Sequence, residues 1–230
     1  MKNYVIIGGS SGIGLELVKH LESQGHQVFS TYFQNPIDSR EKVHYQQFDA
    51  LGELPNKDQF PETIDGLVYC PGSINLKPFK RFKDEDFMND FKLQVVGATR
   101  IIQHLLPKMS KSDNSSIVLF STVAVQKGFN FHSQVAMSKG AIEGLTKALA
   151  AEFAPKIRVN AIAPSLTETP LAHKLINTPE KSAALADKNP LKKIGQAKEV
   201  ANAVAFLLTE QSSWVTGQIL HIDGGQSTLN

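Results

Sequence analysis

The 230-residue sequence predicts an α/β protein: a single domain, 1–230, built on a doubly wound parallel sheet of about seven strands. Short apolar runs rich in β-branched residues alternate with helix-period segments along the whole chain. Several of these runs are apolar at consecutive positions, as a strand covered on both faces has to be. No repeat, low-complexity tract or Pro/Ser-rich linker interrupts the alternation, and at roughly 100–200 residues per domain one large core is within reach.

Taken in order, strands are expected at 5–7, 28–31, 43–48, 66–70, 117–120, 158–162 and 218–222. Helices are expected at roughly 12–24, 84–109, 134–154 and 197–209. In the second of these, Phe87, Phe91, Val95, Ala98, Ile102 and Leu105 keep the spacing of a core-facing stripe. Pro107, Pro155 and Pro164 are expected to punctuate element ends. Residues 33–42, with Pro36 among them, are too few for a full crossover helix. A loop or single turn is therefore expected between strands two and three, a shortened second crossover.

Composition narrows the function. Lys+Arg 24 against Asp+Glu 22 leaves a net charge of +2, which gives no strong pull toward nucleic acid or a membrane surface. Small molecules or other protein chains are the expected partners. Cys70 is the single cysteine, with no CxxC and no Cys/His cluster for a metal, so a reducing compartment is the natural reading. The first apolar run, Tyr4-Val5-Ile6-Ile7, goes straight into glycines rather than a signal-peptide core, and no run approaches the ~20 apolar residues of a membrane span. A cytoplasmic protein is expected.

The chemistry is expected at Gly8-Gly9-Ser10-Ser11-Gly12-Ile13-Gly14, which directly follows strand one and directly precedes an amphipathic helix. Missing Cβ atoms let such a backbone approach a pyrophosphate, whose charge meets the free N–H groups and positive dipole end of the helix. An ordinary tight βα turn is the plainer alternative for this motif taken alone.

The spacing of Gly8, Gly12 and Gly14 resembles the short-chain dehydrogenase/reductase family, and the resemblance runs through nearly the whole chain. Asp49 sits where that family places an adenine-contacting Asp. Leu119-Phe120-Ser121-Thr122-Val123-Ala124 looks like its fifth-strand segment, and Ser138-Lys139-Gly140-Ala141 like the end of its YxxxKG stretch. Ile157-Arg158-Val159-Asn160-Ala161-Ile162-Ala163-Pro164 and the stretch from Thr216 to Gly225 resemble its last two signatures. The resemblance implies a Rossmann-like fold and NAD(P)-dependent hydride transfer. It also implies a homo-dimer or homo-tetramer through the helices at 84–109 and 134–154 and the C-terminal strand.

The active-site positions depart from the family's pattern. There, a Tyr four residues before the Lys exchanges the proton, the Lys lowers that Tyr's pKa and binds the nicotinamide ribose, a Ser orients the substrate oxygen, and an Asn holds a relay water. Counting from Lys139 puts Val135 at the Tyr position and Thr122 at the Ser position, and Gln94 stands at the Asn position. The family's NNAG becomes Tyr69-Cys70-Pro71-Gly72, and PG becomes Pro164-Ser165. Valine neither gives nor takes a proton. His132, seven residues before Lys139, has the spacing at which the enoyl-reductase branch places its Tyr, and imidazole is a competent acid; a polar loop residue is the plainer reading. Ser133 and Tyr69 are weaker candidates.

Three functions therefore stand open: a nicotinamide oxidoreductase whose proton comes from another group or from water, a dinucleotide-loaded sensor or scaffold, and a non-redox enzyme on the same fold. Tyr32, where an acid would hold the ribose 2′-hydroxyl of NAD, favours NADP(H) over NAD(H), with Arg40 the only nearby arginine for a 2′-phosphate. Ser11 stands where NADP users often carry a basic residue, while Ser10, Ser11 and Thr31 offer hydroxyls. By resemblance, 166–189 is a substrate lid, with Thr169 contacting the nicotinamide amide. Phe79, Phe82, Phe129, Phe131, Leu166, Leu171 and Leu175 suggest an apolar ligand.

Overall fold

The computed structural model describes residues 1–229. Its strands are β1 (Asn3–Ile7), β2 (Gln27–Tyr32), β3 (Val43–Gln47), β4 (Gly66–Tyr69), β5 (Ser115–Phe120), β6 (Ile157–Pro164), β7 (Thr167–Glu168), β8 (Gly195–Gln196) and β9 (Ile219–Ile222). All but β7 and β8 form one parallel sheet in the order β3-β2-β1-β4-β5-β6-β9, so each of the seven expected strands is present. The helices are α1 (Gly12–Ser23), α2 (Asp84–Phe91), α3 (Gly97–Met109), α4 (Val123–Gln126), α5 (Ser133–Phe153), α6 (Pro179–Asp187) and α7 (Ala197–Leu208).

Alternate strand residues explain the continuous apolar runs. Ile6, Val28, Val68 and Val118 pack under Leu17, Val18 and Leu21 of α1 and Val200, Val204 and Leu207 of α7. Their neighbours Val5, Ile7, Leu67 and Ile117 face the opposite way, against Ile101, Ile102 and Leu105 of α3 and Ile142 of α5. A sheet covered on both faces has no wet side, so neither set of positions tolerates a polar side chain without a partner. Strand order reverses between β1 and β4, and there the carboxyl ends of the strands leave the crevice in which such folds bind ligands.

The link from β2 to β3 contains no helix, only an isolated antiparallel bridge between Arg40 and Val43, as its length requires. Residues 84–109 do not form one regular helix. A π turn over Lys92–Val96 separates α2 from α3. The Leu93 carbonyl in that turn accepts the Tyr69 hydroxyl at 2.6 Å, and a Cβ on Gly97 would come within 2.2 Å of the same hydroxyl. One distant phenol thus occupies a carbonyl that a regular helix would use, and glycine makes room for it. Pro107 lies inside the last turn of α3 rather than after it, where the missing N–H costs only one terminal bond.

Candidate active site

The glycine turn after β1 is held from the side of β2. The Gly8 N–H donates to Thr31 Oγ1 at 2.9 Å, the Gly9 N–H to the Thr31 carbonyl at 3.0 Å, and the Tyr45 hydroxyl donates to the Gly9 carbonyl at 3.1 Å. At Gly14 a side chain is excluded by the turn itself, since a Cβ there would sit 2.3 Å from the Gly8 carbonyl oxygen. Gly12 has φ +53°, a backbone that side chains disfavour, and the Thr169 side chain lies 3.3 Å from where its Cβ would be. Ser11 precedes α1 with an extended backbone, yet its side chain makes no capping bond, and the first turn of α1 carries no acid. The opening turn of that helix is left with hydroxyl and N–H donors and no competing carboxylate, as an anionic phosphate needs.

From this turn a cleft of about 790 Å³ runs along the carboxyl edge of the sheet. The main catalytic and cofactor positions the sequence predicts line it. Gly8, Ser10, Ser11, Gly12, Ile13 and Gly14 form the floor beside β1, with Tyr32 and Asp49 at the ends of β2 and β3. Gly72, Pro164 and Thr169 follow, and then Gln94, Thr122, His132 and Lys139 on the β5 side. Asp49 Oδ1 accepts the Leu51 N–H at 2.9 Å, which orients the carboxylate. Thr169 precedes a short 3-10 turn over Pro170–Leu175, and its hydroxyl accepts the Ala172 N–H at 3.3 Å. The segment 166–189 that carries it is built from β7, this turn and α6, and β7 pairs with β8, a small second sheet absent from the sequence expectation.

Several suggestions from the sequence are corrected. Tyr69 does not line the cleft: its hydroxyl is committed to Leu93, and burial pushes its pKa far up. Arg40 is held by Glu22 at 2.6 Å through Nε and also lies outside the lining, so it is not poised for a 2′-phosphate. Among the aromatic residues suggested for an apolar ligand, Phe129 lines the cleft, whereas Phe79 is exposed, Phe82 packs on Phe87, and Phe131 is exposed. Leu166, Leu171 and Leu175 do line it, joined by Ile74, Leu76 and Leu185.

At the β5 end, α5 presents Val135 and Lys139 one turn apart on the same side. Lys139 is 9% exposed, and burial pulls its pKa down to about 8. Thr122 caps α4, its hydroxyl oxygen accepting the Ala124 N–H at 3.3 Å while its own proton stays available. His132 immediately precedes α5, and since a carbonyl only accepts, its Nδ1 carries the proton given to the Asn130 carbonyl at 2.8 Å. Ser133 is exposed and outside the lining. Gln94, in the π turn, donates from Nε2 to Asp90 Oδ1 at 2.7 Å, and its Oε1 has no partner among the described residues. Cys70, at the end of β4, also lines the cleft, and burial pushes its thiol up to about 12. Asp90 and Ser73, whose hydroxyl donates to Asp90 Oδ1, were not expected from the sequence. The available signal was the four-residue spacing of Asp90 and Gln94, one turn of helix.

Residues 55–227 match the family model described as Enoyl-(Acyl carrier protein) reductase. A 3-oxoacyl-(acyl-carrier-protein) reductase of Thermotoga maritima is 33% identical over 244 residues, covering 96% of this chain and 96% of the relative. The chain belongs to the short-chain dehydrogenase/reductase family. Among solved structures, the ligand-free aldohexose dehydrogenase of Thermoplasma acidophilum superposes with TM-score 0.89 at 27% identity, covering 100% of this chain and 95% of that one. The NADP-bound structure of ElxO gives TM-score 0.86 at 26% identity, covering 99% of each chain. This short-chain dehydrogenase/reductase is thus an NAD(P)-dependent oxidoreductase by family, and no helix among its described residues is long and apolar enough to cross a membrane.

Proposed function

We propose that this protein moves a hydride between NADP(H) and a small apolar carbonyl compound or the corresponding alcohol. The observation that carries the reading is one continuous cleft, in which a glycine cradle that excludes Cβ atoms leads to a buried lysine and then to apolar walls. When bound, the nicotinamide supplies or takes the hydride. Gly8, Gly12, Gly14 and the donors of Ser10, Ser11 and Ile13 would hold the phosphates, Asp49 the adenine, and Lys139 the nicotinamide ribose. Gly72 and Pro164 would leave room for the ring, with Thr169 on its amide. NADP(H) is favoured because Tyr32 replaces the acid that would bind a ribose 2′-hydroxyl and repel a 2′-phosphate.

Around the substrate, Thr122 would orient the reacting oxygen, His132 Nε2 would accept from the hydroxyl of the alcohol form, Gln94 would hold a water, and 166–189 would act as the lid. Apolar side chains left exposed on the helices the family uses for assembly, Met88, Val96 and Met137, support a homo-oligomer. His132→Ala is expected to lower kcat/KM roughly fivefold, the worth of one hydrogen bond of about 1 kcal/mol. Steady-state kinetics read this directly, and a loss of ~10²-fold or more would instead make His132 the general acid.

Val135 favours a second reading, a dinucleotide-loaded sensor with little turnover, because no phenol stands one turn before Lys139. Single-turnover mixing with carbonyl, imine and activated-alkene panels separates the two. The oxidoreductase consumes bound NADPH with at least one class, and binding without consumption by any class would favour the sensor.

A further inference from the structure

Behind Ser73 and Gln94 of the cleft wall lies a buried carboxylate with no role in hydride transfer so far. Asp90, on α2, is 4% exposed, and its Oδ1 accepts both the Ser73 hydroxyl and Gln94 Nε2. Its Oδ2 has no hydrogen-bond partner among the described residues. A carboxylate so deeply buried is costly unless a positive charge offsets it. Lys139 comes to the same place: Asp90 is tied to Ser73, and Lys139 Nζ stands beside the adjacent Gly72, where the Asp90 charge favours the protonated amine. Lys139 Nζ and Gln94 Oε1 close on one point beside Gly72, 3.9 and 3.4 Å from where a Cβ there would sit. The side chain one turn before Lys139, Val135, has no proton to give.

We propose that Lys139 is the proton donor of the reaction and that Asp90 is the positioning residue that keeps its amine charged inside the cleft. The inference rests on the oxidoreductase reading above. As hydride adds to a carbonyl carbon, the carbonyl oxygen takes up the π electron pair. An Nζ–H bond of Lys139 breaks, an O–H bond forms, and the N–H electron pair stays on nitrogen. The neutral amine then regains a proton from water, and alcohol oxidation runs the same step backwards. The groups that act on the amine are Asp90, on α2, and Cys70, just after β4, the latter kept a neutral thiol by burial. On α5 itself, Glu143 is one turn further on, its carboxylate accepting the Ser121 hydroxyl at 2.6 Å, and His132 lies before the first turn. Among the described residues Lys139 is the one Asp, Glu, Lys or Arg of the cleft lining at this end, Asp49 lying at the far side by β3.

The test reads Lys139 in the ligand-free protein, by competitive labelling with acetic anhydride across pH followed by mass spectrometry. The unmutated amine is expected to become reactive with a midpoint near pH 8. In Asp90→Asn the midpoint is expected about 1–2 pH units lower, because a counter-charge has gone. The alkaline limb of kcat for NADPH-dependent carbonyl reduction should move acidward by the same amount. A merely structural role for Asp90 would lower kcat at every pH without moving either midpoint, and that result overturns the proposal. Absence of turnover with every substrate class in the unmutated protein overturns the oxidoreductase reading and the donor role with it, whereas turnover with unmoved midpoints overturns this inference alone. Should Asp90→Asn fail to fold, the unmutated protein still decides. The labelled Asp90 13Cγ resonance must follow the Lys139 titration with the same midpoint, and a flat response overturns the coupling.

Discussion

A Gly14→Val protein is expected to fold and to lose NADPH affinity by ~10²-fold or more. A Cβ at that position would lie 2.3 Å from the Gly8 carbonyl oxygen and 3.0 Å from Gly9 Cα, and both contacts are backbone, so no side chain can swing aside. The loop must shift, but its other side is pinned to Thr31 through the Gly8 and Gly9 N–H groups, so the shift falls on the turn that leads into α1. Losing two charge-assisted hydrogen bonds at ~1.5–3 kcal/mol each amounts to at least ~10²-fold in Kd. Gly144→Ala is the matched comparison. It lies exposed in α5 with nothing within 4 Å of a Cβ, so alanine is expected to stabilise the helix by ~0.5–1 kcal/mol and leave NADPH affinity unchanged. Isothermal titration of both proteins, with circular dichroism to confirm folding, checks the pair. Near-normal affinity in Gly14→Val would remove this loop from the cofactor site.

That turn was legible in the sequence because its requirement is local: a strand end, a helix start, and glycines at the places where a Cβ meets backbone. The seven strands were legible because burial on both faces leaves a mark at every position. What escaped depends on partners distant in sequence. The π turn at Lys92–Val96 needs the Tyr69 hydroxyl, which arrives from β4 and is invisible in the periodicity of 84–109. Arg40 reads as a free cation until α1 brings Glu22 against it. Asp90 follows Asp84, Glu85 and Asp86 closely, and one charged residue in such a run carries no sign of its burial. The pairing of β7 with β8 involves only two residues on each side, too few to leave any pattern.

The proton step is where sequence and structure together point to the largest gain. Val135→Tyr is expected to raise the rate of ketone reduction on the order of 10²-fold, within the 10²–10⁴-fold that a positioned general acid contributes. Val135 already faces the cleft, one helical turn before Lys139, so a phenol there would share the lysine's side of α5. The nearby ammonium would favour the phenolate and so make the phenol a stronger acid than an ordinary tyrosine. Thr122 keeps a hydroxyl proton free for the same substrate oxygen, because its capping bond uses only a lone pair. The gain should appear in kcat with little change in NADPH affinity, since the new group acts on the proton and not on the dinucleotide. Adding Lys139→Met to the Val135→Tyr protein should erase most of it by removing the charge that tunes the phenol. An unchanged rate in Val135→Tyr, with the protein folded and NADPH bound, would mean that proton supply does not limit ketone reduction. The valine would then be a feature of the substrate pocket and not a missing acid.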